Sequence, residues 1–173
     1  MKLLKTKCKD LLIYQKETFK DNRGYFRELY LQKHFKKKFP FDVMSFSKKN
    51  VLRGLHLQSK KSQAKLITVL KGEIFDVCVD CRKKSKTFGQ YFSIKLSEKE
   101  NKSLLIPEGF AHGYYTLTKE VIIHYKCSNY RHKESENGIL WNDKELKINW
   151  PTKKPIVSSK DQINLSFKDF LKR

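Results

Sequence analysis

Residues 65–79 read KLITVLKGEIFDVCV, two apolar runs separated by the pair Lys71-Gly72. In the second run the apolar residues Phe75, Val77 and Val79 alternate with Asp76 and Cys78. Successive side chains of a strand point to opposite faces, so a period of two predicts two β-strands. We expect Lys71-Gly72 to join them as a tight hairpin.

The same period recurs elsewhere in the chain. It is formed by Phe92, Ile94 and Leu96, and again by Val121, Ile123 and Tyr125. Many short strands joined by turns predict an all-β fold, a closed or doubly layered antiparallel barrel without exposed sheet edges. Helices are expected only near residues 29–37 and from Asn164 to the end of the chain.

The length of 173 residues suits one domain with a full core, and residues 1–173 are predicted to form a single unit. We find no internal repeat, and the longest apolar runs have only the length of a strand. Charged residues interrupt the leucines of the opening MKLLK, so neither a signal peptide nor a membrane span is expected. The expected location is the cytoplasm.

A net charge of +20 raises the question of nucleic-acid binding. The lysines are spread along the whole chain, however, as at residues 36–38, 83–84 and 153–154. They do not concentrate on one helix or arm, so no nucleic-acid partner is expected and the runs indicate solvated surface. The positive field also suits a small ligand that carries a diphosphate.

The four cysteines indicate free thiols rather than disulfides or a zinc site. Cys78 and Cys81 lie at an odd separation in a strand, which sends their sulfurs to opposite faces, and no second ligand pair follows at zinc-site spacing. No metal is expected. A site made by His56 and His112 meeting in space is the alternative left open.

Lys65 is the least expected residue of its strand. It shares a face with Ile67 and Val69, so its ammonium should point toward the interior, where it needs a carboxylate or a charge that develops on a substrate. His56 in VLRGLH (51–56), His112 in IPEGFAHG (106–113) and Tyr125 are the other polar candidates for a barrel interior. A packing role in the core is the alternative for the histidines and for Tyr125, and extension of the ammonium to the barrel rim is the alternative for Lys65.

Several ordered motifs together resemble the dTDP-4-dehydrorhamnose 3,5-epimerase family, and the match runs through nearly the whole chain. They are DNRGYFRE (21–28), KNVLRGLH (49–56), QAKL (63–66), GEIFDV (72–77), KTFG (86–89), IPEGFAHG (106–113), GILWND (138–143) and SSKD (158–161). The resemblance implies a cupin-like jelly roll that forms homodimers and needs neither metal nor cofactor. It also implies a nucleoside-diphosphate 4-keto sugar as substrate, used in surface-polysaccharide biosynthesis.

The implied reaction proceeds through an enolate, because the C4 ketone acidifies the protons at C3 and C5. By resemblance His56 is the base, Asp161 orients and supports it, Lys65 stabilises the enolate oxygen, and Tyr125 returns the proton. The substrate-binding positions carried over from the family are Arg23, Phe26, Glu28, Arg53, His112 and Tyr130.

Two departures fall on recognition rather than proton transfer. The family commonly has a Gln-x-Asn pair upstream of RGLH, whereas residues 41–44 read FDVM, and Arg131 replaces an aromatic residue. The substrate is therefore expected to be a dTDP-hexose or a GDP-heptose. Inversion of C3 or C5 alone, or movement of the ketone, stays open. A non-catalytic sugar- or nucleic-acid-binding barrel is disfavoured because all four catalytic residue types are present.

Overall fold

The computed structural model describes residues 2–172, which form thirteen β-strands and two one-turn α-helices. The strands are β1 Lys2–Lys5, β2 Leu12–Gln15, β3 Phe19–Asp21, β4 Gly24–Phe26, β5 Phe41–Lys48, β6 Leu52–Gln58, β7 Lys65–Lys71, β8 Glu73–Asp80, β9 Tyr91–Ser97, β10 Lys102–Ile106, β11 Phe110–Thr116, β12 Glu120–Cys127 and β13 Glu136–Gly138. The helices are α1 Ser159–Gln162 and α2 Phe167–Phe170. The all-β prediction is confirmed.

Two antiparallel sheets pack face to face. The six-stranded sheet has the order β1-β2-β10-β7-β12-β5, and the five-stranded sheet has the order β13-β6-β11-β8-β9. Strands β3 and β4 form a separate hairpin. Each sheet keeps two edge strands, β1 and β5 in the first and β13 and β9 in the second, so the expectation of a barrel without sheet edges is wrong.

The core lies between the sheets and continues on the far side of the five-stranded one. Ile67, Ile74 and Ile123 belong to the cluster between the sheets, whereas Val77 and Val79 pack outward against Trp150 and Phe167 in a second cluster. The five-stranded sheet is thus buried on both faces. The predicted alternation in β8 is confirmed, but its polar residues point between the sheets.

The predicted hairpin at Lys71-Gly72 is wrong. Strand β7 pairs with β10 and β12, whereas β8 pairs with β11 and β9, so the turn carries the chain from one sheet to the other. Gly72 has φ +81°, and a Cβ there would lie 2.3 Å from the carbonyl oxygen of Glu120. Glycine is required by this crowding as much as by the turn.

The helical predictions hold only in part. Within residues 29–37, Gln32–His34 makes one turn of 3₁₀ helix and no α-helix forms. The C-terminal helix is present as α2. Throughout the described range, no helix is long and apolar enough to cross a bilayer.

Candidate active site

A cavity of about 780 Å³ opens between the two sheets, a size typical of small-molecule sites. Its walls come from both sheets and from the segment that includes α1. Six of the residues predicted from the sequence line it: Arg53, His56, Lys65, His112, Tyr125 and Asp161. The fold thus brings together all four predicted catalytic residues, which are spread over more than a hundred positions of the chain.

His56 on β6 and Asp161 on α1 form a hydrogen-bonded pair. The ring Nε2 lies 2.6 Å from Asp161 Oδ1, and the backbone amide of Gly54 donates to Oδ2 at 3.2 Å. A carboxylate only accepts, so Nε2 carries the hydrogen and Nδ1 carries the lone pair. Nδ1 has no hydrogen-bond partner within residues 2–172. With its side chain 40% exposed, His56 can present this nitrogen to a ligand.

Asp161 stays ionised although it is buried. Burial alone would raise the pKa of the carboxyl, but the hydrogen bond and charge of His56, together with the Gly54 amide and Ser158, hold it below its ordinary value. Ser158 caps α1 by accepting from the Asp161 amide at 3.1 Å. The cap places the carboxylate at the start of the helix, where it meets His56.

Two glycines allow the backbone around His56 to approach β11 closely. Gly54 has φ +131°, and a Cβ there would lie 2.5 Å from Gly113 Cα. A Cβ on Gly113 would likewise lie 2.8 Å from the carbonyl oxygen of Arg53. Only glycine fits where β6 and β11 approach this closely. This close approach explains the glycine at position 54, within the Arg-Gly-Leu-His motif.

Lys65 lies on the opposite wall. Within residues 2–172 its ammonium forms no hydrogen bond or ion pair, and burial lowers its pKa. The charge is therefore held at a desolvation cost that an anion in the cavity would relieve.

Tyr125 lies beside Lys65 on the same wall, since β7 and β12 are neighbours in the six-stranded sheet. Burial raises the pKa of its phenol well above the ordinary value, and the neighbouring Tyr114 adds to the shift. The phenol is therefore protonated at neutral pH. Its oxygen lies 3.2 Å from Ser45 Oγ on β5.

His112 is fixed by an aspartate that the sequence analysis missed. Its Nε2 lies 2.7 Å from Asp76 Oδ2, and both residues are buried. Cys78 donates to the other carboxylate oxygen at 3.6 Å, so these three residues are the group with metal-ligand chemistry in the described chain. Their ligand atoms already bond one another, burial raises the pKa of the Cys78 thiol well above its ordinary value, and Lys65 places a positive charge nearby. This environment disfavours a cation.

The mouth of the cavity carries a cluster of charges. Glu136 accepts from Arg131 at 2.5 Å and from Lys160 at 3.4 Å, and these bonds lower its pKa to about 2, chiefly through Arg131. The lining contains four cationic side chains, Arg53, Lys65, Arg131 and Lys160, against the carboxylates of Glu136 and Asp161. The cavity is thus net positive.

Four predicted binding residues do not line this cavity. Arg23 and Phe26 lie on the β3–β4 hairpin with side chains largely exposed, and Arg23 pairs with Asp21. Glu28 lines a separate, smaller cavity. Tyr130 is 62% exposed and packs its ring on Phe41 at the mouth, with centroids 5.9 Å apart.

Several residues that hydrogen-bond to the cavity side chains were not predicted from the sequence. Asp76 was detectable as a lone acid on the inward face of β8, between Ile74 and Cys78. Ser45 and Ser47 share a face with Phe41 and Val43 by the period of two. The Arg131–Glu136–Lys160 cluster gave no local signal, because Lys160 meets the others only through tertiary structure.

A two-sheet β-barrel with a His–Asp pair on one wall, and a buried lysine and phenol on the other, defines a cupin-like sugar isomerase. Residues 5–169 match the family model described as dTDP-4-dehydrorhamnose 3,5-epimerase. The chain belongs to this family of isomerases that act on nucleotide sugars.

The similar proteins align with this chain over almost its full length. The chain is 44% identical to the dTDP-4-dehydrorhamnose 3,5-epimerase of Shigella flexneri over 176 residues, which is 98% of this chain and 97% of the relative. The crystal structure of the Elizabethkingia anophelis enzyme of that name superimposes with a TM-score of 0.92 at 43% identity, covering 98% and 97% of the two chains. A Legionella pneumophila epimerase in complex with dTDP-4-keto-L-rhamnose gives 0.92 at 40% identity, covering 95% and 92%.

Proposed function

We propose that the protein inverts C3 and C5 of a nucleoside-diphosphate 4-keto-6-deoxy sugar, with no cofactor, in surface-polysaccharide biosynthesis. The observation that carries the proposal is the division of proton-transfer groups between facing walls. The His56–Asp161 pair belongs to the wall formed by β6 and α1, and Lys65 and Tyr125 belong to the wall formed by β7 and β12. Inversion needs a base and an acid on opposite faces of one carbon.

His56 is the base of the proposed reaction. Its Nδ1 takes the proton from the carbon next to the ketone, the C–H electron pair moves into the C=C bond of the enolate, and the ketone oxygen becomes negative. Asp161 stabilises the imidazolium that results, through the 2.6 Å hydrogen bond. The ammonium of Lys65 stabilises the enolate oxygen, an interaction that strengthens only as negative charge develops.

Tyr125 is the acid of the proposed reaction. Its phenol gives a proton to the other face of the same carbon, the enolate electrons form the new C–H bond, and the ketone is restored. A tyrosinate remains, and the nearby Lys65 ammonium favours it. Repeating both transfers at the second carbon completes the 3,5-epimerisation, with water returning a proton to Tyr125 and taking one from His56.

The positive mouth supports a diphosphate ligand. Arg53 can donate to phosphate oxygens through the guanidinium hydrogens that Ser47 and the Phe46 carbonyl leave unused. His112 donates from Nε2 to Asp76, which leaves Nδ1 to accept from a sugar hydroxyl. We assign dTDP as the first candidate nucleotide, because the similar Legionella enzyme is described with dTDP-4-keto-L-rhamnose. Phe41 and Val43 line the cavity where the family commonly carries amides, so the substrate contacts on this wall differ from those of the family, and a GDP-linked 4-keto heptose is the second candidate.

A homodimer is part of the proposal. The hairpin exposes Phe19, Tyr25 and Phe26, and the edge strand β5 exposes Met44 and Phe46. Exposed apolar side chains on a hairpin and on a sheet edge are typical of association surfaces. Since Arg23 and Phe26 lie outside their own cavity, a substrate-binding role for them requires the cavity of a second copy. The cytoplasm, and one cupin-like domain over residues 1–173, remain predictions.

The test is proton NMR in deuterated water with dTDP- and GDP-linked 4-keto-6-deoxy sugars, following loss of hydrogen at C3 and C5. Exchange at both centres with new epimers is expected, and the faster nucleotide identifies the donor. Exchange at one centre would replace the proposal with a mono-epimerase. No exchange with any donor would favour a binding protein.

Two variants separate the roles of base and acid. His56→Asn should lower exchange at both carbons by roughly 10² to 10⁴. Tyr125→Phe should retain exchange, because His56 can return deuterium to the face it deprotonated, while inversion falls. Equal loss of exchange and inversion in Tyr125→Phe would contradict its role as the acid.

A further inference from the structure

An unbroken line of hydroxyl groups runs behind Tyr125. Its phenol oxygen lies 3.2 Å from Ser45 Oγ, which lies 3.1 Å from the phenol oxygen of Tyr114. That oxygen lies 2.9 Å from Ser47 Oγ, and Arg53 Nε donates to Ser47 Oγ at 3.0 Å. Ser47 and Tyr114 are buried. Strand β5 of the six-stranded sheet, and β11 and the start of β6 of the five-stranded sheet, thus supply one hydrogen-bonded chain that crosses between the sheets.

The arginine at one end favours one direction of donation. Arg53 can only donate, so Ser47 accepts from it and keeps its own hydrogen for Tyr114. Tyr114 then donates to Ser45, and Ser45 donates to Tyr125. In the reverse direction the hydrogen of Ser47 would be buried without a partner among the contacts of the described residues. The favoured direction leaves one hydroxyl hydrogen unused, that of Tyr125, and it is free to point into the cavity.

We propose that Ser45 and Tyr114 are positioning residues that aim the Tyr125 hydrogen at the substrate and stabilise the tyrosinate left after proton donation. The inference rests on the proposed function, in which Tyr125 is the acid. When the Tyr125 O–H bond breaks and the C–H bond forms, the phenol oxygen gains a negative charge. The Ser45 hydrogen already points at that oxygen, so the charge is met without reorganisation. Double inversion requires this charge twice in each turnover.

The experiment compares inversion with exchange in Ser45→Ala and Tyr114→Phe. In deuterated water, deuterium that enters with retained configuration reports His56 alone, and deuterium that enters with inversion reports Tyr125. We expect the ratio of inversion to exchange to fall roughly 10- to 100-fold in Ser45→Ala, the loss of a hydrogen bond to a charged group. A fall of about 3- to 10-fold is expected in Tyr114→Phe, because Ser45 stays but loses the partner that orients it. A ratio does not depend on the fraction of enzyme that is folded.

Two controls are matched to these variants. Tyr115→Phe removes a phenol from the neighbouring position of β11, where the hydroxyl donates to Asn50 Oδ1 at 2.8 Å and does not reach the cavity. Ser45→Thr keeps the hydroxyl. Both should preserve the wild-type ratio.

The inference is overturned if Ser45→Ala and Tyr114→Phe keep the wild-type ratio, or if exchange and inversion fall together in each. It is also overturned if Tyr115→Phe lowers the ratio as much as Tyr114→Phe does. Absence of both exchange and inversion in the wild-type protein would instead refute the proposed function.

Discussion

Replacing Asp161 with Asn tests whether the His56 pair works as a base. The change removes a buried negative charge at 2.6 Å from Nε2 and leaves the side chain nearly the same size. A hydrogen bond to a charged group contributes about 1.5–3 kcal/mol, equivalent to roughly 10- to 150-fold in rate. The amide can also donate to Nε2, which would move the ring hydrogen to Nδ1, the atom that must accept the substrate proton.

Both effects act on the same step, so we expect kcat to fall by roughly 10² to 10⁴, the range for loss of a general base or of its correct tautomer. KM should change little, because both carboxylate oxygens of Asp161 are already held, one by His56 and the other by the Gly54 amide. The assay is the initial rate of hydrogen exchange at C3 and C5 in deuterated water, with thermal unfolding to verify the fold. Asp42→Asn is the matched control, since Asp42 holds His124 at 3.0 Å outside the cavity and should leave turnover unchanged.

A fall of less than about threefold in Asp161→Asn would refute the reasoning, because such a small effect is below that of one charge-assisted hydrogen bond. An equal fall in Asp42→Asn would refute it as well, since the effect would then come from a general change in charge or fold.

Lys65→Met should lower kcat by roughly 10² to 10³ with little change in KM, as expected for a group that stabilises the enolate oxygen; steady-state kinetics would contradict this role if only KM rose. Asp80→Asn should destabilise the protein by roughly 2 kcal/mol above pH 4, because Asp80 is buried and its hydrogen bonds with Arg82, Ser85 and Thr87 outweigh the effect of burial and lower its pKa to about 2. Since the Asp80 pKa is depressed, the difference in free energy of unfolding between the variant and wild type should disappear as pH falls from about 4 to 2. Denaturant titrations that show the same difference at every pH would contradict this prediction. Dialysis against a chelator should leave turnover unchanged, because the ligand atoms of Asp76, Cys78 and His112 bond one another. A loss of turnover that added metal restores would contradict this prediction.

Local alternation was enough to predict the strands, because a period of two depends only on neighbouring residues. It was not enough to predict which strands pair. Lys71-Gly72 has the sequence of a hairpin, yet β7 finds its partners in β10 and β12, more than thirty residues later. The pairing is decided by burial of both faces of the five-stranded sheet, and the turn follows from it.

The catalytic residues were predicted through motif resemblance, and their supporting residues were not. Asp76 reaches His112 across a strand pair, and Tyr114 reaches Ser45 and Ser47 across the barrel. Hydroxyl groups and lone acids in strands give the same sequence pattern whether they face solvent or a cavity. Only the three-dimensional structure shows that Ser47 is buried and bonded to Arg53.

Strand β5 shows how recognition and proton transfer can vary separately in one cavity. Its odd-numbered residues share a face, with Phe41 and Val43 lining the cavity beside the mouth and Ser45 and Ser47 behind Tyr125. Same-face neighbours on a strand lie about 7 Å apart, so Phe41 lies about 13 Å from Ser45. A change at position 41 can therefore alter the contacts of the nucleotide or of a longer sugar without touching the hydroxyl chain, whereas Val43 pairs directly with Tyr125. The apolar residue at position 41 is thus compatible with unaltered epimerase chemistry on an altered substrate.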